Sequence, residues 1–225
     1  MLTKTLSSLS LCLLLPAMGC FAQSGDPAQG QPGGDLAELL SEPVTLGIVS
    51  TEDGSFARVR AVALRSGDEY EVEVAVMGGS LTLSLDDAQL RVESLEVTAA
   101  DLTVGAGVMP PEGATLTGIS VALTAPVESE LAIEADDSAQ TAGGLPVALR
   151  WAVELDHGVV DLAPIRLPDL GFELALGLAS DGEIEAHLTA SQPDSFWNWA
   201  GIFELSDLEL DLVASSGLSV PGSVE

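Results

Sequence analysis

The chain has 225 residues, with 7 basic side chains set against 35 acidic ones, a formal net charge of −28, and 47% hydrophobic residues of which few are aromatic. So large an acidic excess argues against binding to DNA, RNA or an anionic membrane surface, all of which require cationic patches. Cys12 and Cys20 are the only cysteines, so beyond them a core must hold by burial alone, for which about 190 residues suffice.

In chain order, Lys4 precedes the apolar run LSLCLLLPAMG, which is too short to span a bilayer and reads as the core of a secretory signal. Ala17-Met18-Gly19-Cys20 resembles the lipobox of bacterial lipoproteins, with glycine before the cut and cysteine at it, but departs from it at Ala17 and Met18. Cleavage before Cys20 makes residues 1–19 the signal peptide and Cys20 the lipid attachment site. Cleavage after Ala22 by ordinary signal peptidase is the alternative. Either cut implies export to the periplasm or cell surface, and the first adds an anchor in the outer membrane. Residues 23–35, QSGDPAQGQPGGD, have nothing to bury and read as a flexible tether. Residues 35–42, DLAELLSE, suffice for about two helical turns before Pro43. The expected organisation is therefore a tether over 20–43 with a possible short helix, then a single β domain over 44–225.

Residues 44–49 and 57–64 read as strands. A loop at Ser66-Gly67-Asp68 sets Leu64 opposite Tyr70 and Val62 opposite Val72, which leaves Arg60 facing Val74 and implies an edge position or a bulge. Through residues 69–92, apolar side chains occupy alternate positions, the pattern of a half-buried strand. Gly78-Gly79 suits a two-residue hairpin turn, with Val76 opposite Leu81. Asp86-Asp87 suits another, with Leu83 opposite Leu90. The apolar phase then switches between Val92 and Leu95, predicting a bulge near Glu93-Ser94.

Residues 115–124 and 127–135 read as further strands, and 136–144, DDSAQTAGG, as a long loop and the candidate internal boundary. Val147, Leu149, Trp151, Val153 and Leu155 alternate without a break. A turn at His157-Gly158 sets Val153 opposite Leu162. For the next hairpin, a three-residue loop at Ser180-Asp181-Gly182 pairs Leu178 with Ile184 and Leu174 with Leu188, whereas a two-residue loop opposes Leu178 to Glu185 and fails. A late strand over 206–214 turns Leu208, Leu210 and Leu212 inward. Between these, SQPDSFWNWAGIF (191–203) carries Phe196, Trp199, Ala200 and Phe203 at helical spacing behind a Ser191/Asp194 capping pattern. This predicts a short amphipathic helix that closes one mouth of the sheet or forms a lid or partner patch, with Phe196, Trp197, Trp199 and Phe203 as its candidate residues and Trp197 the most accessible.

The expected fold is all-β, a mainly antiparallel curved sheet of roughly eleven strands, folded as a sandwich or half-open barrel. Its general plan is similar to that of anchored periplasmic lipid carriers with an incomplete β-barrel and a helical lid, a fold-level analogy that rests on no specific motif.

Catalytic motifs are missing from the sequence: it contains no G-x-S-x-G, no H-E-x-x-H and no phosphate-binding glycine loop. Glu183, Glu185 and His187 share one strand face and are acceptable metal ligands, but positions i, i+2 and i+4 spread over about 13 Å of strand. Asp207, Glu209 and Asp211 repeat that spacing, so both rows read as solvated faces, and no metal or cofactor is expected. Two functions fit: a non-catalytic envelope protein that binds a lipid or other apolar ligand between sheet and helix, or an acidic scaffold with a filled core that binds a cationic protein or calcium. An integral outer-membrane barrel would need aromatic girdles, which the chain does not provide.

Overall fold

Period-two alternation becomes burial on one side of the long strands at the centre of the sheet. In Ile165–Leu178 and Ile184–Gln192, Ile165, Leu167, Leu170, Phe172, Leu174, Leu176, Ile184 and Leu188 are buried while Arg166, Asp169, Glu173, Glu185 and His187 are exposed. The structure is a computed structural model that describes residues 34–104, 114–133, 138–155, 158–199 and 203–218. Cys20, both cleavage positions, the tether before Gly34 and His157 lie outside these residues. The described residues belong to one compact unit, Gln31–Glu225.

The strands are β1 (Val44–Ile48), β2 (Phe56–Ala63), β3 (Asp68–Val74), β4 (Val76–Asp86), β5 (Gln89–Ala99), β6 (Leu102–Val104), β7 (Ala114–Leu123), β8 (Val127–Glu130), β9 (Ala132–Ile133), β10 (Ala139–Leu155), β11 (Gly158–Asp161), β12 (Ile165–Leu178), β13 (Ile184–Gln192), β14 (Trp197–Trp199) and β15 (Phe203–Ser215). These fifteen segments form one sheet, all-β and antiparallel as the alternation predicts. The extra segments beyond the expected eleven are short pieces, such as β6, β9 and β14, that pair along part of a longer neighbour.

The pairing order β1-β4-β5-β7-β10-β12-β13-β15 returns to its start through Gly47↔Ser215 and Ile48↔Ala214, so eight strands close into a ring at one end. At the other end the ring is open. There β15 pairs β2 and β14 on opposite edges, and β2 pairs β3. Facing this leaf is a second one, in which β7 pairs β6 and β10 pairs both β7 and β11. Ala100 N–H still donates to the Ala75 carbonyl at 2.8 Å. Past that bond, β3 pairs only β2 and β6 pairs only β7 among the described residues.

The helix over 191–203 is not formed. Those residues finish β13, cross over through Pro193–Ser195 and make β14, which pairs Trp197 with Leu205 and Trp199 with Phe203. Phe196 N–H donates to the Leu205 carbonyl at 3.0 Å. An isolated helix of this length is marginal, and the adjacent edge of β15 offers these backbone groups partners. The described helix is instead α1, Gly34–Leu39, and it is no appendage of a tether. Leu36 and Leu40, one helical turn apart, are each 0% exposed, and the Leu40 carbonyl accepts from Leu85 N–H at 2.7 Å. Thus α1 plugs the core beside the β4–β5 hairpin.

Several turns also differ from expectation. Gly78-Gly79 is no hairpin: β4 runs through it with a bulge between Val76 and Gly78, Gly78 has φ +141°, and a Cβ on Gly79 would collide with the Glu96 carbonyl. The next turn lies at Asp87-Ala88 rather than Asp86-Asp87, with φ of 46° and 67° as a type I′ turn requires, so Leu83 faces Val92 and Leu85 faces Leu90. Residues 139–144 are no loop or boundary but the start of β10, paired from Ala139↔Leu176 to Gly144↔Gly171. In β10–β11, Val153 faces Val160 rather than Leu162.

Other expectations match. Glu93 is the extra residue of a bulge between Thr82↔Ser94 and Leu83↔Val92. The β12–β13 loop is Ser180-Asp181-Gly182, with Leu178↔Ile184, Leu174↔Leu188 and Gly182 at φ 86°. Leu208, Leu210 and Leu212 all point inward and are buried.

If α1 belongs to the core, Leu40→Ala should cost about 2–5 kcal/mol in urea unfolding. A loss near zero would return the helix to the tether.

Candidate functional site

Between the two leaves lies a cavity of about 150 Å³. The first leaf lines it with Ala57, Val59 and Ala61 of β2, Val72 and Val74 of β3, and Leu205, Leu208 and Leu210 of β15. The second contributes Leu102, Leu116, Ile119 and Val121, then Leu149 and Trp151 of β10, while Val97 and Ala99 of β5 line the side where the leaves meet. Of all the residues around it only Arg58 and Ser120 are not apolar. The space is partly open to the surface, and its walls offer an apolar guest almost no polar partner.

The void has a cause in the sequence. In the closed end the inward rows are leucines: Leu81, Leu83, Leu90, Leu95, Leu145, Leu170, Leu174, Leu188 and Leu212 are all at most 2% exposed. Between the leaves the β5 row passes from Leu95 to Val97 and Ala99, and β2 and β3 contribute only Ala57, Val59, Ala61, Val72 and Val74, while β10 and β15 continue with Leu149, Leu208 and Leu210. Shorter side chains on diverging strands leave the space unfilled. That shift from leucine to alanine and valine was the available signal, and alternation alone does not register it.

Of the four aromatic residues in the expected patch, the structure brings Phe196 and Trp197 to the cavity wall. Trp197 is half-buried, packed edge-to-face on Trp151 with centroids 5.5 Å apart and planes at 88°. This pair ties the β14 hairpin of one leaf to β10 of the other, a contact worth about 0.5–1.5 kcal/mol beyond its buried area. Trp199 and Phe203 are neighbours in the backbone ladder next to it.

Arg58 and Arg60 do not face the apolar side. A four-residue β2–β3 turn, in place of the expected three, shifts the register so that Arg58 pairs Glu73 and Arg60 pairs Glu71. The Arg58 guanidinium lies 3.2 Å from Glu71, 3.7 Å from Glu209 and 4.0 Å from Glu73, and its Cζ is 5.6 Å from the Phe56 ring centroid. Arg60 is bonded to Glu69 and, at 3.2 Å, to Asp207. Hydrogen bonds to Glu69 and then Asp207 push its pKa above the ordinary arginine value, so it stays cationic.

The two carboxylate rows do not converge on a metal. Glu183 accepts from the Ser215 hydroxyl at 3.2 Å, and His187 Nε2 lies 2.5 Å from Asp211. Asp207 and Glu209 are taken by Arg60 and Arg58. Among the described residues, no group of three or more His, Cys, Asp or Glu side chains is arranged to hold an ion. Comparison of the chain with protein-family models, curated proteins and solved structures finds no match.

Trp197→Ala should destabilise the protein by about 1–3 kcal/mol in urea unfolding, whereas Trp197→Phe, which keeps a ring against Trp151, should lose less than half of that. Equal losses for the two would show that the edge-to-face contact does not hold the leaves together.

Proposed function

We propose that this is a non-catalytic, exported envelope protein, anchored through a lipid on Cys20, that holds a hydrophobic ligand between its two leaves. The observation that carries this reading is the apolar space that side chains leave unfilled at the open end of a sheet whose other end is packed with leucine. Cores ordinarily avoid voids, because each one forfeits contact energy. One confined to a single end, and walled by residues that a one-step change to leucine would fill, is better explained by a guest than by poor packing. The ligand sits between two parts of the sheet, not between sheet and helix.

The filled-core scaffold has less support, because side chains leave the space between the leaves unfilled and Asp207, Glu209 and Asp211 of β15 are engaged by Arg60, Arg58 and His187. An integral barrel also has less: β12 and β13 turn leucine inward and charges outward, the reverse of a lipid-facing wall. No helix among the described residues is long and apolar enough to cross a membrane, so attachment through Cys20 is the membrane link proposed.

The purified full-length protein should bind N-phenyl-1-naphthylamine with a rise in fluorescence, and Ala61→Leu combined with Ala99→Leu, one from each side of the void, should abolish that rise while the protein stays folded. Undiminished binding by the filled variant would remove the cavity as the site. Cys20→Ala should move the protein from the membrane fraction to the soluble fraction of the host envelope. Unchanged fractionation would point to the cut after Ala22 or to another means of attachment.

A further inference from the structure

Resting on that reading, we infer that the ligand is the single aliphatic chain of an amphiphile, inserted tail first, whose head group carries no negative charge. Size selects the single chain. A cavity of about 150 Å³ matches an engineered void that accepts benzene and lies below the roughly 300–1,000 Å³ typical of small-molecule pockets. It takes the end of one chain, and a longer stretch requires the leaves to part at Trp151 and Trp197. Two chains side by side do not fit.

Charge selects the head group. Burying an unpaired carboxylate in an apolar site costs several kcal/mol, so the head stays at the margin. The cation there, Arg58, is held by Glu71, Glu209 and Glu73, and its neighbour Arg60 by Glu69 and Asp207. Five carboxylates thus face two guanidiniums along the outer side of the first leaf. On the opposite leaf, Asp101, Glu154 and Asp161 are exposed. Arg65 in the β2–β3 turn and Arg150 on β10 are exposed cations, but they are outnumbered within a chain of net charge −28. Arg58 is the one charged residue on the cavity lining and is already engaged by carboxylates from the outer side. In the negative field of the whole chain an anionic head therefore meets repulsion, a neutral head meets none, and a cationic head is attracted.

The test uses three amphiphiles with the same dodecyl chain, below their micelle thresholds: dodecanoate, dodecanol and dodecyltrimethylammonium. Each competes with N-phenyl-1-naphthylamine for the full-length protein at about 10 mM and about 500 mM salt, where surface charges are weakly and strongly screened. At low salt, dodecanoate should compete at least about tenfold more weakly than the other two, and high salt should narrow the gap. Glu71→Gln with Glu209→Gln, which removes two of the three carboxylates around Arg58 and leaves Glu73, should also narrow it without weakening dodecanol. Dodecanoate competing as well as dodecanol at low salt would overturn the inference, as would a gap indifferent to both salt and the double substitution. If the naphthylamine binds but none of the three displaces it, the amphiphile is wrong and the cavity stands. If the naphthylamine itself does not bind, the cavity reading fails first.

Discussion

A β-strand has two edges and a finite row of hydrogen-bonding groups on each, and β15 divides both of its rows between two partners. On one edge, residues 208–215 pair β13 and residues 203–205 pair β14. On the other, β2 takes residues 203–211 and β1 takes 214–215. Because β1 reaches β15 over only two residue pairs, the ring closes at that end alone. Further along, the edge that would complete the barrel is occupied by the β2–β3 hairpin, which swings away as a separate leaf. The cavity follows from this sharing: where strands no longer pair around the circumference, the two leaves face each other as a small sandwich, and the distance between them is set by the side chains they carry.

The all-β class, the inward leucine rows and the Ser180-Asp181-Gly182 loop were legible because alternation reports the parity of each position. Parity is also where its information ends. A two-residue turn and a one-residue bulge flip the inward phase alike, so Gly78-Gly79 read as a hairpin when the chain bulges and continues. Moving a turn by one residue, from Asp86-Asp87 to Asp87-Ala88, slides the register by two and keeps every leucine inward, so the pattern is silent on the choice. The β2–β3 hairpin shows the converse. There the three-residue loop produced a visible conflict at Arg60, and the conflict was real. A fourth loop residue removes it by setting both arginines opposite glutamates of β3, and the bulge at this level lies on the other neighbour, β15, between Ser206 and Glu209.

The aromatic segment misled for a different reason. Phe196, Trp199 and Phe203 fall at helical spacing, but Trp197, Trp199, Phe203 and Leu205 fall equally well on the two arms of a hairpin. In so short a stretch, periodicity does not choose between them. The free edge of β15 does, because it offers backbone partners that an isolated helix of two or three turns cannot match. The plugging role expected of that segment falls to α1, whose DLAELL pattern was legible as a helix but whose burial was not, since Leu36 and Leu40 alone do not reveal which surface will cover them.

Charge and cavity belong to one economy of side chains. The outer rows are acidic enough to keep a wide sheet with several free edges soluble and to discourage edge-to-edge association, since like charges meet whenever two such edges approach. The few arginines on the first leaf sit where strands diverge, bridging β2 to β3 and β15 across exposed surfaces where an ion pair adds little stability. Their contribution is to geometry: they fix the register of the hairpin that keeps the barrel from closing. Leucine at the β2, β3 and late β5 positions that face the space would stabilise the fold by the ordinary hydrophobic term, and the chain instead places alanine and valine there. A fold that packs twelve large side chains to near-complete burial, while leaving short side chains on one leaf of the open end, concentrates its hydrophobic stabilisation away from the cavity.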